Sequence, residues 1–237
     1  IKVGSNILVN EKHVLRKKWL TSLIEDVQKL QKKGSKIIIV SSGAIALGRN
    51  ILSKKKLTNL HEKQAAASIG QIQLSQQWQK AFAKFNIQSS QILITAEDLN
   101  ERRKYLNIRN TIYSLLDLNV VPIINENDTT STEEIRFGDN DKLSAMIANA
   151  LSAELLILLS DVNGLYTANP KKSTDAKLIT SVEEVDQEIE KYIDKDLSEF
   201  GSGGMLAKVN AAKLGIQSGS TMIISNGRVN NPLGNIH

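Results

Sequence analysis

Two lysines that stand close to glycines in the sequence are candidates for binding an anionic group. Lys2 and Gly4 lie at the end of the first apolar run, and Lys208 follows a glycine-rich segment, GSGGM at 201–205, by one predicted helical turn. A glycine lets a main-chain amide come close to an anion, and an ammonium group neutralises the charge of that anion. Both segments therefore suggest a site for a phosphate-like group, although a lysine near the end of a strand, such as Lys2, is more often only exposed to solvent. The second follows the logic of a P-loop, although the pattern GxxxxGKS/T is absent.

Small and hydroxyl residues after the apolar run KIIIV suggest a second anion site. Ser42, Gly43 and Ala44 open a predicted helix there. The N-terminus of a helix offers unpaired amides and a positive dipole to a phosphate or a carboxylate. The same residues are also explained without a ligand, by a serine N-cap followed by a packing face of small residues that would include Ala46 and Gly48. The residues by themselves leave both interpretations open.

Acidic and amide residues gather in further places. The run VVPII is followed by four polar residues, 125–128, which a surface turn would explain. They stand at the carboxyl end of a predicted central strand, however, where their carboxylate and amide groups suit a small polar ligand that carries an ammonium group. Asp139, Asn140 and Asp141 stand just ahead of another predicted helix. An N-cap needs only one such residue, so three in a row favour a ligand site. A serine and an aspartate follow the run LLILL in the same manner.

The elements that must position these residues alternate between strands and helices. Apolar residues at helical spacing, as in Leu20, Leu23 and Val27, predict a helix that ends near Gly34. Five short apolar runs are predicted strands of a parallel sheet that is buried on both faces, at 36–40, 91–95, 120–124, 155–159 and 221–225. The alternation predicts an α/β fold, a three-layer α/β/α sandwich with a mainly parallel central sheet, in one domain over residues 1–237. Ligands of such sheets bind beyond the carboxyl ends of the strands, which is where the polar residues stand.

A less regular and polar segment, residues 165–206, interrupts the alternation. It contains a charged helical stretch around 185–197 and ends in the glycine-rich turn. An excursion of this kind beside a strand is a candidate lid over a nucleotide site.

The composition excludes several classes of protein. The chain has 30 basic and 25 acidic residues, a net charge of +5, and aromatic residues make up only 4% without alternating with the basic ones, which argues against nucleic acid as the partner. No apolar run approaches the ~20 residues of a membrane span. The absence of cysteine excludes disulfides and thiolate chemistry and fits a cytoplasmic enzyme. His13, His61 and His237 are too scattered to suggest a metal cluster.

Six segments, in order along almost the whole chain, resemble the amino acid kinase family. They are IKVGSNIL, SSGAIALGR, NENDTT, GDNDKLSA, LLSDVNGLYTANP and GSGGMLAKVNAA. The match is closest to the members that phosphorylate the side-chain carboxylate of free L-glutamate. The resemblance implies ATP and Mg²⁺ as cofactors and L-glutamyl 5-phosphate as the product, in the first step of proline biosynthesis.

The resemblance also implies roles for individual residues. Lys2 and Lys208 match the two lysines that flank the transferred phosphoryl group, and Asp141 matches the carboxylate that orients them. The implied glutamate-binding positions are Ser42, Gly43, Ala44, Asp128 and Asn140. The implied ATP-binding positions are Lys2, Gly4, Ser160, Asp161, Ser202, Gly203, Gly204, Met205 and Lys208. No protein ligand to a metal ion is implied.

Two alternatives to this function stay open from the sequence. One is another member of the same family, which would act on aspartate, N-acetylglutamate, carbamate or UMP. The other is a non-catalytic sensor of a nucleotide or an amino acid, against which the presence of Lys2, Lys208 and Asp141 together argues.

The resemblance further predicts how the chain is organised. The amino-terminal part would bind glutamate and the carboxy-terminal part would bind ATP. Many of these enzymes carry a C-terminal PUA domain, which we do not expect within this chain. We expect a homo-oligomer, a dimer or a tetramer, with proline as a possible feedback inhibitor and with neither nucleic acid nor a membrane as a partner.

Overall fold

Six parallel strands form the central sheet of the protein. The computed structural model describes residues 1–54, 56–131, 139–168, 170, 173–187, 189, 192, 204–217, 219–234 and 236. The strands of the sheet are β1 (Lys2–Val3), β2 (Ile39–Ser41), β3 (Ser89–Ile94), β4 (Val121–Glu126), β5 (Leu155–Ser160) and β8 (Thr221–Asn226). Their order across the sheet is β3-β4-β2-β1-β5-β8. A separate antiparallel pair consists of β6 (Leu165–Tyr166) and β7 (Leu178–Ile179).

Helices connect the strands and cover both faces of the sheet. Those within the described residues are α1 (Ser5–Leu8), α2 (Lys17–Lys32), α3 (Ala44–Ile51), α4 (Leu60–Ala83), α5 (Ala96–Asn100), α6 (Arg102–Asp117), α7 (Asp139–Ala150) and α8 (Gly204–Gln217). None of these helices is both long and apolar enough to cross a membrane.

Neighbouring residues of a strand point into two different cores, which makes the fold a three-layer sandwich. Ile39 packs with Leu23 and Trp78 from α2 and α4 on one face of the sheet. Val40, the next residue, packs on the other face with the apolar side chains of α6 and α7, such as Ile112. This period of two is that of an extended chain. The predicted α/β/α sandwich with a mainly parallel sheet is confirmed.

Helix α2 follows from its sequence pattern. Its apolar residues recur at helical spacing, and Leu23 and Val27 are fully buried. The helix ends where Gly34 adopts a left-handed backbone, with φ of 91°. The amide of Gly34 then donates to the oxygen of Gln31, and that of Ser35 to Leu30. This pair of hydrogen bonds is a Schellman motif, and it confirms the helix end that the position of Gly34 in the sequence predicted.

Helices α3 and α4 touch through their backbones. A Cβ atom at Gly48 would lie 1.7 Å from the oxygen of Ala66, and one at Gly70 would lie 1.8 Å from the oxygen of Ala44. The small residues after Ser42 therefore form a packing face, which was one of the two interpretations of that segment. The N-cap of α3 is Gly43 rather than a serine, with φ of 109°.

The edge strands are less buried than the sequence predicts. In β3 only Ile94 is buried, and Leu93 is 37% exposed. In β8 no residue is buried. An edge strand has a neighbour on one side only and lies at the border of the helix layers, so burial on both faces is complete only at the centre of the sheet. The run VVPII does lie inside the sheet, since β4 pairs with both β2 and β3.

Candidate active site

The carboxyl ends of the parallel strands bring the predicted site residues to one edge of the sheet. β1 pairs with β2 on one side and with β5 on the other. Lys2 lies in β1, Ser42 follows β2, and Ser160 ends β5. Residues that are far apart in sequence therefore meet, as expected for an open parallel sheet.

Two lysines converge on one buried carboxylate at this edge. Nζ of Lys2 lies 2.6 Å from Oδ1 of Asp141, and Nζ of Lys208 lies 3.1 Å from Oδ2 of the same carboxylate. The Asp141 side chain is 1% exposed, and those of Lys2 and Lys208 are 9% and 13% exposed. Two ammonium groups thus contact one carboxylate in a place that is nearly closed to water.

Burial sets the electrostatics of Lys2. The loss of solvation lowers the pKa of Lys2 from its usual value of 10.5, because a buried ammonium is costly. The neighbouring Asp141 opposes this shift and raises the pKa, while the charge of Lys208 lowers it further. An incoming anion would act in the same direction as Asp141 and would favour the charged ammonium.

Helix packing places Asp141 and Lys208. Asp141 lies in the first turn of α7, where the Ser144 hydroxyl donates a hydrogen bond to its main-chain oxygen at 2.7 Å. Lys208 lies one turn into α8, as predicted. Both helices pack over β5 through buried small side chains, among them Ala145 and Ala211. Small residues allow α7 and α8 to approach closely enough for the Lys208 ammonium to reach the carboxylate.

A second polar cluster surrounds Asn140, the neighbour of Asp141. Nδ2 of Asn140 lies 3.0 Å from the main-chain oxygen of Ser41, 2.8 Å from Oγ of Ser42 and 3.0 Å from Oδ1 of Asn125. Nδ2 of Asn125 in turn donates to Oε1 of Gln71 at 2.7 Å. The structure therefore brings together two predicted substrate-binding residues, Ser42 and Asn140.

Gln71 and Asn125 are members of this cluster that the sequence did not single out as site residues. Asn125 is 3% exposed and begins the polar segment after VVPII, so that segment was a usable signal. Gln71 lies in the middle of α4, where the sequence has no signal that separates it from the other glutamines of the helix.

The remaining predicted substrate-binding residues have different surroundings. Gly43 has a left-handed backbone at the start of α3. Ala44 is 2% exposed and its side chain belongs to the core, so only its main chain can contact a ligand. Asp128 is half-buried in the turn after β4, a turn that begins with a hydrogen bond from the amide of Asn127 to the oxygen of Ile94 at 2.8 Å.

The predicted nucleotide-binding residues lie on the other side of Lys2. Ser160 is buried at the end of β5, where its main-chain oxygen accepts a hydrogen bond from the amide of Gly227 at 2.7 Å. Oδ2 of Asp161 lies 3.6 Å from the Arg228 guanidinium. A Cβ atom at Gly4 would lie in ordinary van der Waals contact with Nζ of Lys2, at 3.7 Å, so Gly4 adjoins this ammonium group.

The helix that carries Lys208 completes this side of the edge. It begins at Gly204, and Met205 packs against Leu165 and Val209. Ser202, Gly203 and most of the predicted helical stretch at 185–197 lie outside the described residues. Within the part of the chain that the structure describes, no group of three or more histidine or acidic side chains is placed to hold a metal ion.

Comparison with known proteins identifies the family. Residues 1–226 match the model of the amino acid kinase family. The chain belongs to the amino acid kinase family. The resemblance stated from its sequence motifs is therefore confirmed.

Curated members of the amino acid kinase family are similar to this chain over nearly all of its length. The glutamate 5-kinase of Pelagibacter ubique (strain HTCC1062) is 49% identical over 234 residues, which cover 98% of this chain and 64% of that protein. The glutamate 5-kinase of Agrobacterium fabrum is 47% identical over 98% of this chain and 60% of its own length. The chain thus spans less than two thirds of the length of these relatives.

Solved structures of isopentenyl phosphate kinases share the fold. A crystal structure of isopentenyl phosphate kinase superposes with a TM-score of 0.68 at 18% identity, over 100% of this chain and 96% of that one. The product complex of the T. acidophilum isopentenyl phosphate kinase gives a TM-score of 0.62 at 14% identity, over 99% and 93% of the two chains. At these identities the likeness concerns the fold alone.

Proposed function

We propose that this chain is the kinase domain of a glutamate 5-kinase. It transfers the terminal phosphoryl group of ATP to the side-chain carboxylate of L-glutamate and releases ADP and L-glutamyl 5-phosphate, in the first step of proline biosynthesis. The names of the most similar curated relatives support the choice of acceptor. The observation that carries the proposal is the carboxylate of Asp141 with two ammonium groups, beside the polar cluster of Asn140 and Ser42.

The charges around Asp141 suit phosphoryl transfer. Negative charge spreads over the oxygens of the transferred group in the transition state, and preorganised positive charges stabilise it. Lys2 and Lys208 supply two such charges, and Asp141 holds both ammonium groups in fixed positions. These two ammonium groups can therefore stabilise the negative charge of the transferred group in the transition state.

The acceptor needs no general base. A side-chain carboxylate has a pKa near 4.3 and is already ionised at neutral pH. Catalysis then depends on placing the carboxylate oxygen in line with the phosphoryl group and on charge stabilisation. In this proposal Asn140, Ser42, Asp128 and the main chain of Gly43 and Ala44 hold the glutamate.

The proposal divides the two substrates between the two parts of the domain. The amino-terminal part binds glutamate, while Ser160, Asp161, Gly4 and residues 202–208 of the carboxy-terminal part bind ATP. Lys2 lies between the two sides, because β1 is flanked by β2 on one side and by β5 on the other.

Magnesium fits this site as an ion that is held chiefly by the nucleotide. Mg²⁺ in kinase sites takes oxygen ligands from phosphates and from one or two carboxylates. Asp141 is engaged by two lysines, and no cluster of acidic side chains that could cage the ion is found among the described residues. When bound, Mg²⁺ would neutralise phosphate charge, while the lysines and Asp141 act on the transferred group.

The direct test is ADP release with ATP and Mg²⁺ in the presence of hydroxylamine, which converts an acyl phosphate into a hydroxamate. L-glutamate, L-aspartate, N-acetyl-L-glutamate and UMP are compared as acceptors. Turnover and hydroxamate with L-glutamate alone are the expected result. Turnover with another acceptor would keep the reaction class and reject the substrate, and no turnover with any of them would favour a nucleotide or amino acid sensor.

Three further expectations belong to the same proposal. The enzyme forms a homo-oligomer, a dimer or a tetramer, which light scattering can measure. Proline inhibits it by competing near the glutamate site, which the same assay tests when proline is added at low and at saturating glutamate. It works in the cytoplasm.

A further inference from the structure

A row of polar side chains runs from α4 to α7 and ends at Asn140. Nε2 of Gln71 donates to Oγ of Ser75 at 3.2 Å, and Nδ2 of Asn125 donates to Oε1 of Gln71 at 2.7 Å. Nδ2 of Asn140 donates to Oδ1 of Asn125 at 3.0 Å. The row thus joins helix α4, strand β4 and helix α7.

The hydroxyl of Ser75 fixes the direction of every hydrogen bond in this row. A serine hydroxyl has a single hydrogen to donate. The Ser75 hydroxyl is within donating distance of the main-chain oxygen of Gln71, at 2.9 Å, and of Oε1 of Gln91, which are both pure acceptors. It therefore receives the hydrogen bond from the Gln71 amide, so Oε1 of Gln71 points the other way, toward Asn125.

The same reasoning gives the direction of the hydrogen bonds between Asn125 and Asn140. Asn125 must present Nδ2 to Oε1 of Gln71, so its Oδ1 faces Asn140. Asn140 must then present Nδ2 to Asn125, and the main-chain oxygen of Ser41, at 3.0 Å, demands the same orientation. The consequence is that Oδ1 of Asn140 is turned away from the row.

Oδ1 of Asn140 is buried and lacks a hydrogen-bond donor among the described residues. A buried carbonyl oxygen without a donor is costly, so such an atom calls for an explanation. A ligand with an N–H group supplies the missing donor. An α-amino acid has such a group in its ammonium.

We infer that Gln71 is a positioning residue, which acts through Asn125 to hold Asn140 with its side-chain oxygen turned toward the donor group of the acceptor substrate. This inference rests on the proposed function for the identity of that substrate. Gln71 is well suited to the task because Gly70, the residue before it, packs against the backbone of α3, which fixes α4 beside the site.

The first test compares Gln71→Met with Gln76→Met, a matched change at an exposed glutamine of the same helix. Methionine keeps the length of the side chain but leaves Nδ2 of Asn125 without its acceptor. We expect the KM for the acceptor to rise about tenfold, the effect of one lost hydrogen bond, while kcat and the KM for ATP stay within about twofold. Equal KM values in the two variants, or a fall in kcat alone, would overturn the inference.

A double-mutant cycle separates positioning from a general effect on the fold. Asn140→Ala removes the group on which Gln71 acts. Adding Gln71→Met to Asn140→Ala should therefore leave the acceptor KM within about twofold of the single Asn140→Ala variant. A further tenfold rise would mean that Gln71 acts independently of Asn140.

Nuclear magnetic resonance tests the row of hydrogen bonds without any turnover. The side-chain amide signals of Asn140 are assigned by their loss in Asn140→Ala. They should shift in Gln71→Met and stay in place in Gln76→Met. If the parent protein phosphorylated none of the acceptors, the proposed function would fail while this measurement still decided the inference, and Asn140 signals unchanged in Gln71→Met would overturn it.

Discussion

Two buried aspartates in this protein differ in what they hold. The side chains of Asp141 and Asp26 are 1% and 5% exposed. Asp141 is flanked by two buried ammonium groups. Asp26 instead accepts hydrogen bonds from Nδ2 of Asn231 and from the amides of Leu233 and Gly234, at 3.1, 3.1 and 3.3 Å.

The partners of each carboxylate indicate its role. The donors to Asp26 are mainly the amides of a turn, residues 231–234, while the exposed ammonium of Lys29 lies 3.8 Å from Oδ1 of Asp26. This carboxylate therefore fastens the turn to α2 and is satisfied by the chain itself. Asp141 instead contacts two buried ammonium groups, those of Lys2 and Lys208, and burying charges is expensive unless they are compensated. Two ammonium groups beside one carboxylate suit a site that binds an anionic group. Burial of a carboxylate therefore does not reveal its role, whereas the number of buried charged groups that contact it does.

The largest effect is expected from Lys208→Ala. This change removes one of the two charges at the site but leaves the ion pair of Lys2 with Asp141, so the fold should persist. We expect kcat for glutamate phosphorylation to fall about a thousandfold. The matched control is Lys80→Ala, at an exposed lysine of α4. Near-normal turnover in Lys208→Ala would remove this lysine from the mechanism.

Asp141→Asn should combine loss of activity with loss of stability. It leaves two ammonium groups without their counter-charge, which should lower the free energy of unfolding by about 3 kcal/mol. The lysines also lose their fixed positions, and we expect kcat to fall about a hundredfold. Urea unfolding and the kinetic assay measure the two effects. A variant with full stability and reduced kcat would show that the charges do not need Asp141 for folding.

Asp26→Ala should lower the stability of the protein without changing its catalytic activity. The amides of the turn lose their acceptor, and we expect the free energy of unfolding to drop by about 2 kcal/mol. The values of kcat and KM should stay within about twofold, since Asp26 belongs to no part of the candidate site. A large loss of kcat in a folded Asp26→Ala protein would contradict the contrast between the two carboxylates.

The smallest expected effect is on the pH dependence of the free energy of unfolding, to which Lys2 and Lys29 should contribute in different ways. Burial lowers the pKa of Lys2 below 10.5, whereas the hydrogen bond with Glu25 raises the pKa of the exposed Lys29. Between its lowered pKa and 10.5, Lys2 is protonated in the unfolded chain but not in the folded one, so its contribution to stability rises with pH across that window. The contribution of Lys29 is present below 10.5 and is lost as the pH rises through its raised pKa.

Carbon-13 titration of the lysine Cε signals measures both pKa values, with the two signals assigned by Lys2→Arg and Lys29→Arg. Turnover should fall along the same alkaline limb as Lys2 loses its proton. A Lys2 signal that titrates at or above the value for Lys29 would show that Asp141 outweighs the loss of solvation.

The local pattern of apolar residues and glycines in the sequence was sufficient to predict the main strands and one helix of the fold. The runs KIIIV, QILIT, VVPII, LLILL and TMIIS all became strands, with ends shifted by a few residues. The helix around Leu23 and its end at Gly34 also followed from spacing and from the backbone freedom of glycine. These features depend on neighbours within one or two turns of the chain, which the sequence states directly.

The sequence by itself determined the α/β class, the edge of the sheet at which the candidate site residues lie and, through its motifs, the family. Only the tertiary structure decided which side chains meet. The order β3-β4-β2-β1-β5-β8 brings Lys2 to within 2.6 Å of Asp141, and the close packing of α3 and α4 sets Gln71 beside Asn125. Hydrophobic periodicity specifies which face of an element is buried but not which element lies next to it, so contacts between distant residues depend on the assembled fold.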